Sequence, residues 1–291
     1  MTPTNIAPPA SIMAARMQAV WGLRDTAGCK LPVGMPQTAP VSVLASTQIQ
    51  GADLRGGVFA QGDDTELRIS DSILRARGLA KMLALGSTPG GVTLGKGSPR
   101  GIISRTTLDL SGDSTLTAAP ISGYNNASLS FDDVRMIEAS RNFIAWAGPG
   151  HLELLNSFVG AFGVATDAKD HCEGPHIEGG SFLFNGDLFA PDLGSPLTGA
   201  LTAAIYIEGL YSPVVGAISH SIVDIPKGPV LWTMQVCARK FDVELTIGNT
   251  GMRKGSSGYI GKTALGGKLR IRDVGGNFDL TTGAPVNHAT H

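Results

Sequence analysis

The sequence is poor in charged residues, aromatic residues and cysteines. Only 16% of its 291 residues are charged and the net charge is -1, which disfavours a broad surface for nucleic acid or an anionic membrane. No apolar run reaches the roughly 18 residues that a membrane span requires. The cysteines Cys29, Cys172 and Cys237 are far apart and odd in number, which does not fit a disulfide framework. We therefore expect no nucleic-acid partner and no membrane partner.

Glycine, in contrast, is abundant. The chain contains 39 glycines and 42% hydrophobic residues, and this glycine content is about twice the average share. Many glycines with few aromatics are typical of short strands joined by tight turns. The N-terminus has no basic segment followed by an apolar one, so we expect that it is not a secretory signal. We therefore expect the protein to assemble in the cytoplasm.

The first 50 residues have a different character from the rest. Ser11 is a candidate N-cap, and an apolar stripe with a basic end follows it at helical spacing, formed by Met13, Met17, Val20, Trp21 and Arg24. The pattern predicts a short helix at about 12–24 and then an extended arm broken by proline. We interpret residues 1–50 as an anchoring or capping arm. Its apolar residues either cover the end of the next domain or dock onto a partner.

From residue 51 a short pattern recurs, in which two apolar residues alternate with others before Asp, Gly or Asn. The second apolar residue of each segment marks its position, and the markers are Ile69, Leu110, Phe131, Leu154, Ile177, Ile207, Leu245 and Ile271. Most spacings fall near 20 to 25 residues if two longer gaps each contain a further turn. Such a period indicates a solenoid, and strand alternation with Gly, Asn and Asp at corners disfavours helical repeats.

These features predict an all-β parallel β-helix of about 9–10 coils over residues 51–291, with a C-terminal cap. A jelly roll or sandwich is the alternative, although its strands would not be expected to keep one period over such a length. In the β-helix each coil places its strands under those of the next coil, so that inward residues stack into apolar columns.

The stretch PHIEGGSFLFNGD (175–187) resembles the turns of right-handed parallel β-helices of the pectate-lyase-like superfamily, and LRISDSILRARG and LELLNSFVGAFG resemble neighbouring coils. The resemblance covers about residues 51–280. It implies the architecture and only weakly an activity, because the motif belongs to the coil. The superfamily includes secreted polysaccharide lyases and hydrolases, and also spikes and fibres of phages and phage-like particles, which are commonly trimers.

The most polar stretch is HCEGPHIEGGSFLFNGD (171–187). If the eight segments stack in one sheet, the residues beside the markers face outward and neighbouring coils lie about 4.8 Å apart. Glu153, His176 and Tyr206 are then predicted to lie together, with Glu178 and Glu208 beside them. An insertion at 187–200 is predicted to form a wall over this cluster, with Phe189 available to a sugar ring.

Three interpretations of this cluster stay open: an inert face or subunit interface, a carbohydrate-binding site, and a catalytic site that uses Glu178, Glu208 and His176. Carboxylates can also hold Ca²⁺. A zinc site at His171, Cys172 and His176 matches no standard ligand spacing, so we predict no metal and no cofactor.

We expect a non-enzymatic or weakly enzymatic spike or fibre of a phage-like particle that binds host surface polysaccharide. Met13, Met17, Val20 and Trp21 would anchor it to other virion proteins, and Leu155 would fit an interface within a homo-oligomer, with a trimer favoured. The alternatives are a capsule depolymerase, acting as a lyase or glycoside hydrolase on the same fold, and a bacterial carbohydrate-active enzyme whose signal peptide is missing.

Overall fold

The structure, a computed structural model, describes residues 15–30, 33–34, 36–37, 39–75, 82–86, 97–110, 121–123, 125–139, 142–162, 173–190, 203–225 and 230–289. Within these ranges the chain forms one helix, α1 (Ala15–Thr26), and 28 strands. The strands are β1 (Pro36–Gln37), β2 (Val41–Val43), β3 (Thr47–Gln50), β4 (Asp53–Leu54), β5 (Val58–Ala60), β6 (Glu66–Ser70), β7 (Ile73–Arg75), β8 (Leu83–Leu85), β9 (Arg100–Ser104), β10 (Thr107–Asp109), β11 (Ile121–Gly123), β12 (Ser128–Asp132), β13 (Arg135–Ala139), β14 (Ile144–Trp146), β15 (His151–Leu155), β16 (Phe158–Phe162), β17 (Pro175–Ile177), β18 (Gly180–Asn185), β19 (Leu188–Ala190), β20 (Ile205–Glu208), β21 (Val214–Ser219), β22 (Ile222–Val223), β23 (Trp232–Ala238), β24 (Val243–Gly248), β25 (Gly251–Met252), β26 (Gly258–Ala264), β27 (Leu269–Asp273) and β28 (Phe278–Asp279).

Each strand from β1 to β25 pairs in parallel with the strand three places further along the chain, so the chain winds as a right-handed parallel β-helix, as the sequence predicts. In the described residues, sheet A has ten strands from β1 to β28, sheet B has nine from β2 to β26, and sheet C has nine from β3 to β27. One coil therefore contributes one strand to each sheet, and the number of coils agrees with the predicted 9–10.

The core is built from columns of inward side chains that stack from coil to coil. One column of sheet C runs through Ile69, Ile103, Phe131, Leu154, Phe184, Ile218 and Ile247, all of which are buried. In the neighbouring column Phe182 lies opposite Gly216, and a Cβ on that glycine would come within 2.0 Å of the Phe182 ring. The large Phe182 side chain fits into this column because Gly216, its neighbour in the next coil, has no side chain.

The corner between sheets C and A has a residue with a left-handed backbone in most coils. The non-glycine residues with positive φ at this corner are Asp71, Arg105, Asp133, Asn156, His220 and Asn249. Asp and Asn tolerate this conformation better than most side chains because they can hydrogen-bond locally. The recurrent Asp or Asn after the alternating strand is thus a turn signal, in agreement with the sequence interpretation.

Just after this corner, a column of buried hydroxyl groups crosses the coils. The Ser72, Thr106, Ser157, Ser221 and Thr250 hydroxyls donate to the carbonyl two residues earlier, at 2.7–3.0 Å. Asp187 takes the same place in its coil, where its Oδ1 accepts from the Ser157 backbone N–H at 2.8 Å. Its side chain is buried and its Oδ2 has no hydrogen-bond partner.

Helix α1 lies on the outer face of sheet A. Its apolar side chains form a second core with outward residues of the sheet, in a cluster of Met17, Val20, Trp21, Ala27, Phe158, Leu188, Ala190, Ile222 and Leu280. After the helix, the Gly28 N–H donates to the Asp133 carbonyl at 3.1 Å and the Cys29 N–H donates to Thr107 Oγ1 at 3.2 Å. Residues 15–30 therefore run along the side of the solenoid.

Two predictions about this segment need correction. Strands β1, β2 and β3 (36–50) already pair within the three sheets, so the β-helix starts before residue 51 and the arm is shorter than 1–50. The proposed anchoring residues Met17, Val20 and Trp21 are buried against sheet A, because the outer face of that sheet is itself apolar there. Their side chains thus pack against the chain's own β-helix and are not available to a partner. Met13 lies outside the described residues.

The predicted stacking of all eight marker segments is also wrong in part. Ile69, Phe131 and Leu154 do share one column of sheet C. Ile177 and Ile207, however, belong to sheet B, and Leu110 directly follows β10 of sheet A. The error arises because all three strands of a coil have a similar alternation of apolar and polar residues. Segments from different sheets were therefore aligned as if they belonged to one sheet.

Candidate functional site

The candidate site lies where sheet B ends and the chain turns towards sheet C. Strands β17 and β20 are adjacent, and the register pairs His176 with Tyr206 and Ile177 with Ile207. The two isoleucines are fully buried in the core, so strand alternation turns His176 and Tyr206 outward. Glu178 directly follows β17, and Glu208 ends β20. We call His176, Glu178, Tyr206 and Glu208 the corner cluster.

The His176 ring is the centre of the corner cluster. Its Nε2 lies 3.7 Å from Oε2 of Glu208 and 4.0 Å from Oε1 of Glu178. The ring packs edge-on against Tyr206, with centroids 4.7 Å apart and an interplanar angle of 87°. His176 Nε2 is buried and has no hydrogen-bond partner. Two successive coils therefore bring an imidazole, a phenol and two carboxylates into contact range.

The other ring nitrogen of His176 faces the preceding coil. Asn142 Nδ2 lies 3.0 Å from His176 Nδ1, and Asn142 Oδ1 accepts from the Glu173 backbone N–H at 3.0 Å. With the amide in this orientation, Nδ1 is an acceptor and a neutral ring carries its proton on Nε2. The Glu173 carboxylate is almost fully buried, and its unpartnered Oε2 is 4.0 Å from His176 Nδ1.

Glu208 is held from the following coil by Arg239. The Arg239 Nε pairs with Oε1 of Glu208, whose side chain is only 4% exposed, whereas the arginine is about half exposed. The carboxylate thus uses one oxygen towards Arg239 and turns the other towards His176. A buried carboxylate is tolerated when a cation compensates it, so Arg239 helps to hold Glu208 in position.

Burial shifts the pKa of several groups here. Burial, with a smaller contribution from Glu208, raises the pKa of Glu173 to about 7, although the nearby His176 acts to lower it. Burial also raises the pKa of Glu178 and brings that of Tyr206 to about 12. For His176, burial acts to lower the pKa, but Glu208, Glu173 and Glu178 outweigh it and the pKa is raised. Burial and neighbouring charges thus act on the same small group of side chains.

Of the predicted carbohydrate-binding residues, the structure brings four together and separates two. His176, Tyr206, Glu178 and Glu208 are neighbours, as the pattern predicts. Glu153 lies in β15 of sheet C, where it accepts from the Ser130 hydroxyl at 2.7 Å, so its predicted place beside His176 is wrong.

The predicted aromatic wall over the cluster is also wrong at Phe189. This residue lies in β19, is fully buried and packs on Phe184 with ring centroids 5.5 Å apart. Residues 188–190 continue the strand pattern and so belong to the core of sheet A, and residues 191–200 lie outside the described part of the chain. Leu155, the predicted interface residue, is half-buried at the end of β15.

Sequence reasoning missed Glu173, Asn142 and Arg239. Glu173 was within reach of the pattern, because it lies three residues before His176 in the same polar stretch. Asn142 and Arg239 come from the coils on either side of the cluster. Only a correct register of the coils could have placed them there.

No family model, no curated protein and no solved structure matches this chain. In the described residues, no helix has the length and apolar character needed to cross a membrane. The fold alone does not determine a function, which depends on the side chains of the site. The corner cluster offers carboxylate acceptors, an imidazole donor and an aromatic ring, a set suited to hydroxyl-rich ligands or to a cation.

Proposed function

We propose that this chain is a spike or fibre subunit of a phage-like particle, which binds surface polysaccharide of a host cell through the corner cluster. The supporting observation is the set of partly exposed polar and aromatic groups at one corner of two coils. His176, Glu178 and Tyr206 are all partly exposed. Sugar rings combine hydroxyls, which need such donors and acceptors, with apolar faces that pack on aromatic rings.

Attachment to other virion proteins is the second part of this proposal. Because the apolar face of α1 is buried on sheet A, attachment through the described part of the arm would use the exposed face of that helix. Association into a trimer would cover some of the exposed apolar side chains, such as Leu44, Val215 and Leu265. Both expectations agree with an extended solenoid that presents one corner to the cell surface.

A co-sedimentation assay with purified polysaccharides from candidate hosts tests the binding site. The wild-type protein should co-sediment with one of them and leave its chain length unchanged. Tyr206→Ala and Glu178→Gln should weaken binding by tenfold or more, which corresponds to about 1.4 kcal/mol. Glu244→Gln is the matched control, because Glu244 lies on the exposed face of sheet C. Binding that survives both cluster variants would contradict the proposed site.

A second candidate function is a polysaccharide depolymerase. One carboxylate oxygen from Glu178 and one from Glu208 lie within 4.8 Å of each other, which is near the spacing of about 5 Å between the carboxyl groups of retaining glycosidases. Against it, Glu208 is nearly buried and paired with Arg239, so it has little access to a sugar. Shortened polysaccharide in the same assay, abolished by Glu178→Gln and Glu208→Gln, would favour this function over simple binding.

A further inference from the structure

We propose that His176, Glu178 and Glu208 form a binding site for one divalent transition-metal ion, of which zinc is the best match. The proposal does not depend on polysaccharide binding. One ligand atom from each residue lies within 4.8 Å of the other two. An imidazole nitrogen with two carboxylate oxygens is a ligand set that suits zinc better than calcium or magnesium, which prefer oxygen alone.

The distances are close to those that a bound ion requires. Four ligands placed tetrahedrally at about 2.1 Å from zinc lie roughly 3.4 Å from one another. His176 Nε2 is 3.7 Å from Glu208 Oε2 and 4.0 Å from Glu178 Oε1, so these two pairs need to close by about 0.3 and 0.6 Å. The two carboxylate oxygens lie within 4.8 Å of each other and need to close by up to about 1.4 Å. Three protein ligands would leave the fourth position for water or a ligand hydroxyl.

Independent support comes from polar atoms that the protein itself leaves unsatisfied. His176 Nε2 and Glu173 Oε2 are both buried without a hydrogen-bond partner, and the Glu173 side chain is only 1% exposed. Such atoms are rare in native proteins and call for an explanation. An ion on Nε2 would require the ring proton to sit on Nδ1, where it faces Glu173 Oε2 at 4.0 Å. A carboxylate behind the ligand imidazole is the usual outer partner of a metal-bound histidine.

The charges of the surroundings favour a cation as well. Three carboxylates, Glu173, Glu178 and Glu208, surround His176, and Arg239 from the next coil pairs with Glu208. Arg239 engages Oε1 of Glu208 and leaves Oε2 directed at His176. The guanidinium therefore orients the ligand carboxylate and does not occupy the place of the ion.

The side-chain amide of Asn142 lowers the affinity of this site for a metal ion. In the described orientation its Nδ2 donates to His176 Nδ1, while its Oδ1 accepts from the Glu173 N–H. Ligation through Nε2 needs the opposite tautomer, so the amide opposes the ion. Asn142→Asp would offer an acceptor both to the Glu173 N–H and to a proton on Nδ1. This variant should bind zinc several-fold more tightly than the wild type.

The test measures zinc binding to the untagged, metal-stripped full chain by isothermal titration calorimetry, with bound zinc counted by elemental analysis after dialysis. We expect one zinc per chain with a dissociation constant below about 10 µM, a free energy more favourable than about -7 kcal/mol. Magnesium at the same concentration should not compete. His176→Gln and Glu178→Gln should each weaken binding at least tenfold.

The matched controls are His151→Gln and Glu244→Gln, which remove the same groups from the outer face of sheet C and should leave zinc affinity unchanged. Circular dichroism of every variant separates lost binding from lost folding. Folded wild-type protein that binds no zinc, or equal binding by both cluster variants, would overturn the proposal. Preference for magnesium or calcium would also overturn it, because imidazole ligation would then be absent. None of these outcomes bears on polysaccharide binding, which is assayed without metal.

Discussion

Replacing Trp21 with alanine tests whether helix α1 is part of the folded domain or a free anchor. Trp21 is 6% exposed and packs in the cluster with Phe158, Leu188 and Ile222 on sheet A. A tryptophan buries roughly 150–250 Å², which at about 25 cal/mol per Å² is worth about 4–6 kcal/mol. Its indole N–H is buried without a partner, and this costs about 1–3 kcal/mol. The net loss in Trp21→Ala should therefore be about 3 kcal/mol.

Urea unfolding, followed by far-ultraviolet circular dichroism, measures this loss for the whole domain. If the helix detaches before the solenoid unfolds, the same loss appears as faster proteolysis between α1 and β1, because local opening exposes the chain. Ala19→Gln is the control, since Ala19 is on the exposed side of the same helix, and it should change stability by less than about 0.5 kcal/mol. A Trp21→Ala protein with unchanged urea midpoint and unchanged proteolysis would refute the packing of α1 on sheet A.

Two further predictions concern buried charges in the coils. Burial raises the pKa of Asp187 well above its usual range, so its contribution to stability is fully present below the unfolded pKa of about 3.9 and is lost as pH rises through the folded pKa. Asp187→Asn keeps the acceptor for the Ser157 N–H and should remove this loss, so its urea midpoint should exceed that of the wild type by an amount that grows as the pH rises above about 4 towards the folded pKa. A difference that stays constant with pH would contradict this expectation. Arg253→Ala should destabilise the protein by about 3–5 kcal/mol, because it leaves the fully buried Asp224 without its cation. In thermal and urea unfolding, Arg270→Ala, which removes an exposed partner, should cost less than about 1 kcal/mol, and equal effects of the two variants would refute the reasoning.

The sequence pattern was sufficient to predict the architecture because each coil repeats the same two features, a buried apolar alternation and a left-handed corner. Alternating apolar residues must face one core, and Asp or Asn must take the left-handed corner, as at Asp71, Asp133 and Asn156. These constraints act locally and recur, so they can be read without knowing which coil a strand contacts. They do not distinguish sheet A from sheets B and C.

The site was predicted only where the register happened to be correct. His176 and Tyr206 lie in the same sheet, in successive coils, so their pairing followed from the pattern. Glu153 carries the same local pattern but lies in sheet C. Coil length varies from 17 residues between Val41 and Val58 to 38 residues between Leu83 and Ile121, and a single assumed period cannot follow such variation.

Phe189 shows a different limit of sequence reasoning. It follows the Asn-Gly-Asp turn at 185–187, and the gap of 30 residues between Ile177 and Ile207 predicted an insertion there. In the structure, the chain enters β19 immediately after the turn, and Phe189 fills the core beside Phe184. A turn signal marks where a strand ends, but the length of the loop that follows depends on contacts with the neighbouring coils, which local sequence does not contain.

The position of α1 has a consequence for the order in which the molecule can be made. The helix lies near the start of the chain, yet its apolar cluster includes Phe158, Ile222 and Leu280. On the ribosome these partners emerge long after the helix does, and contacts of such large sequence separation form slowly. Helix α1 must wait until most coils have been stacked, and the apolar strip on sheet A stays open to other chains during that interval. Docking of the earliest helix is thus a late event, which closes this surface once the solenoid is nearly complete.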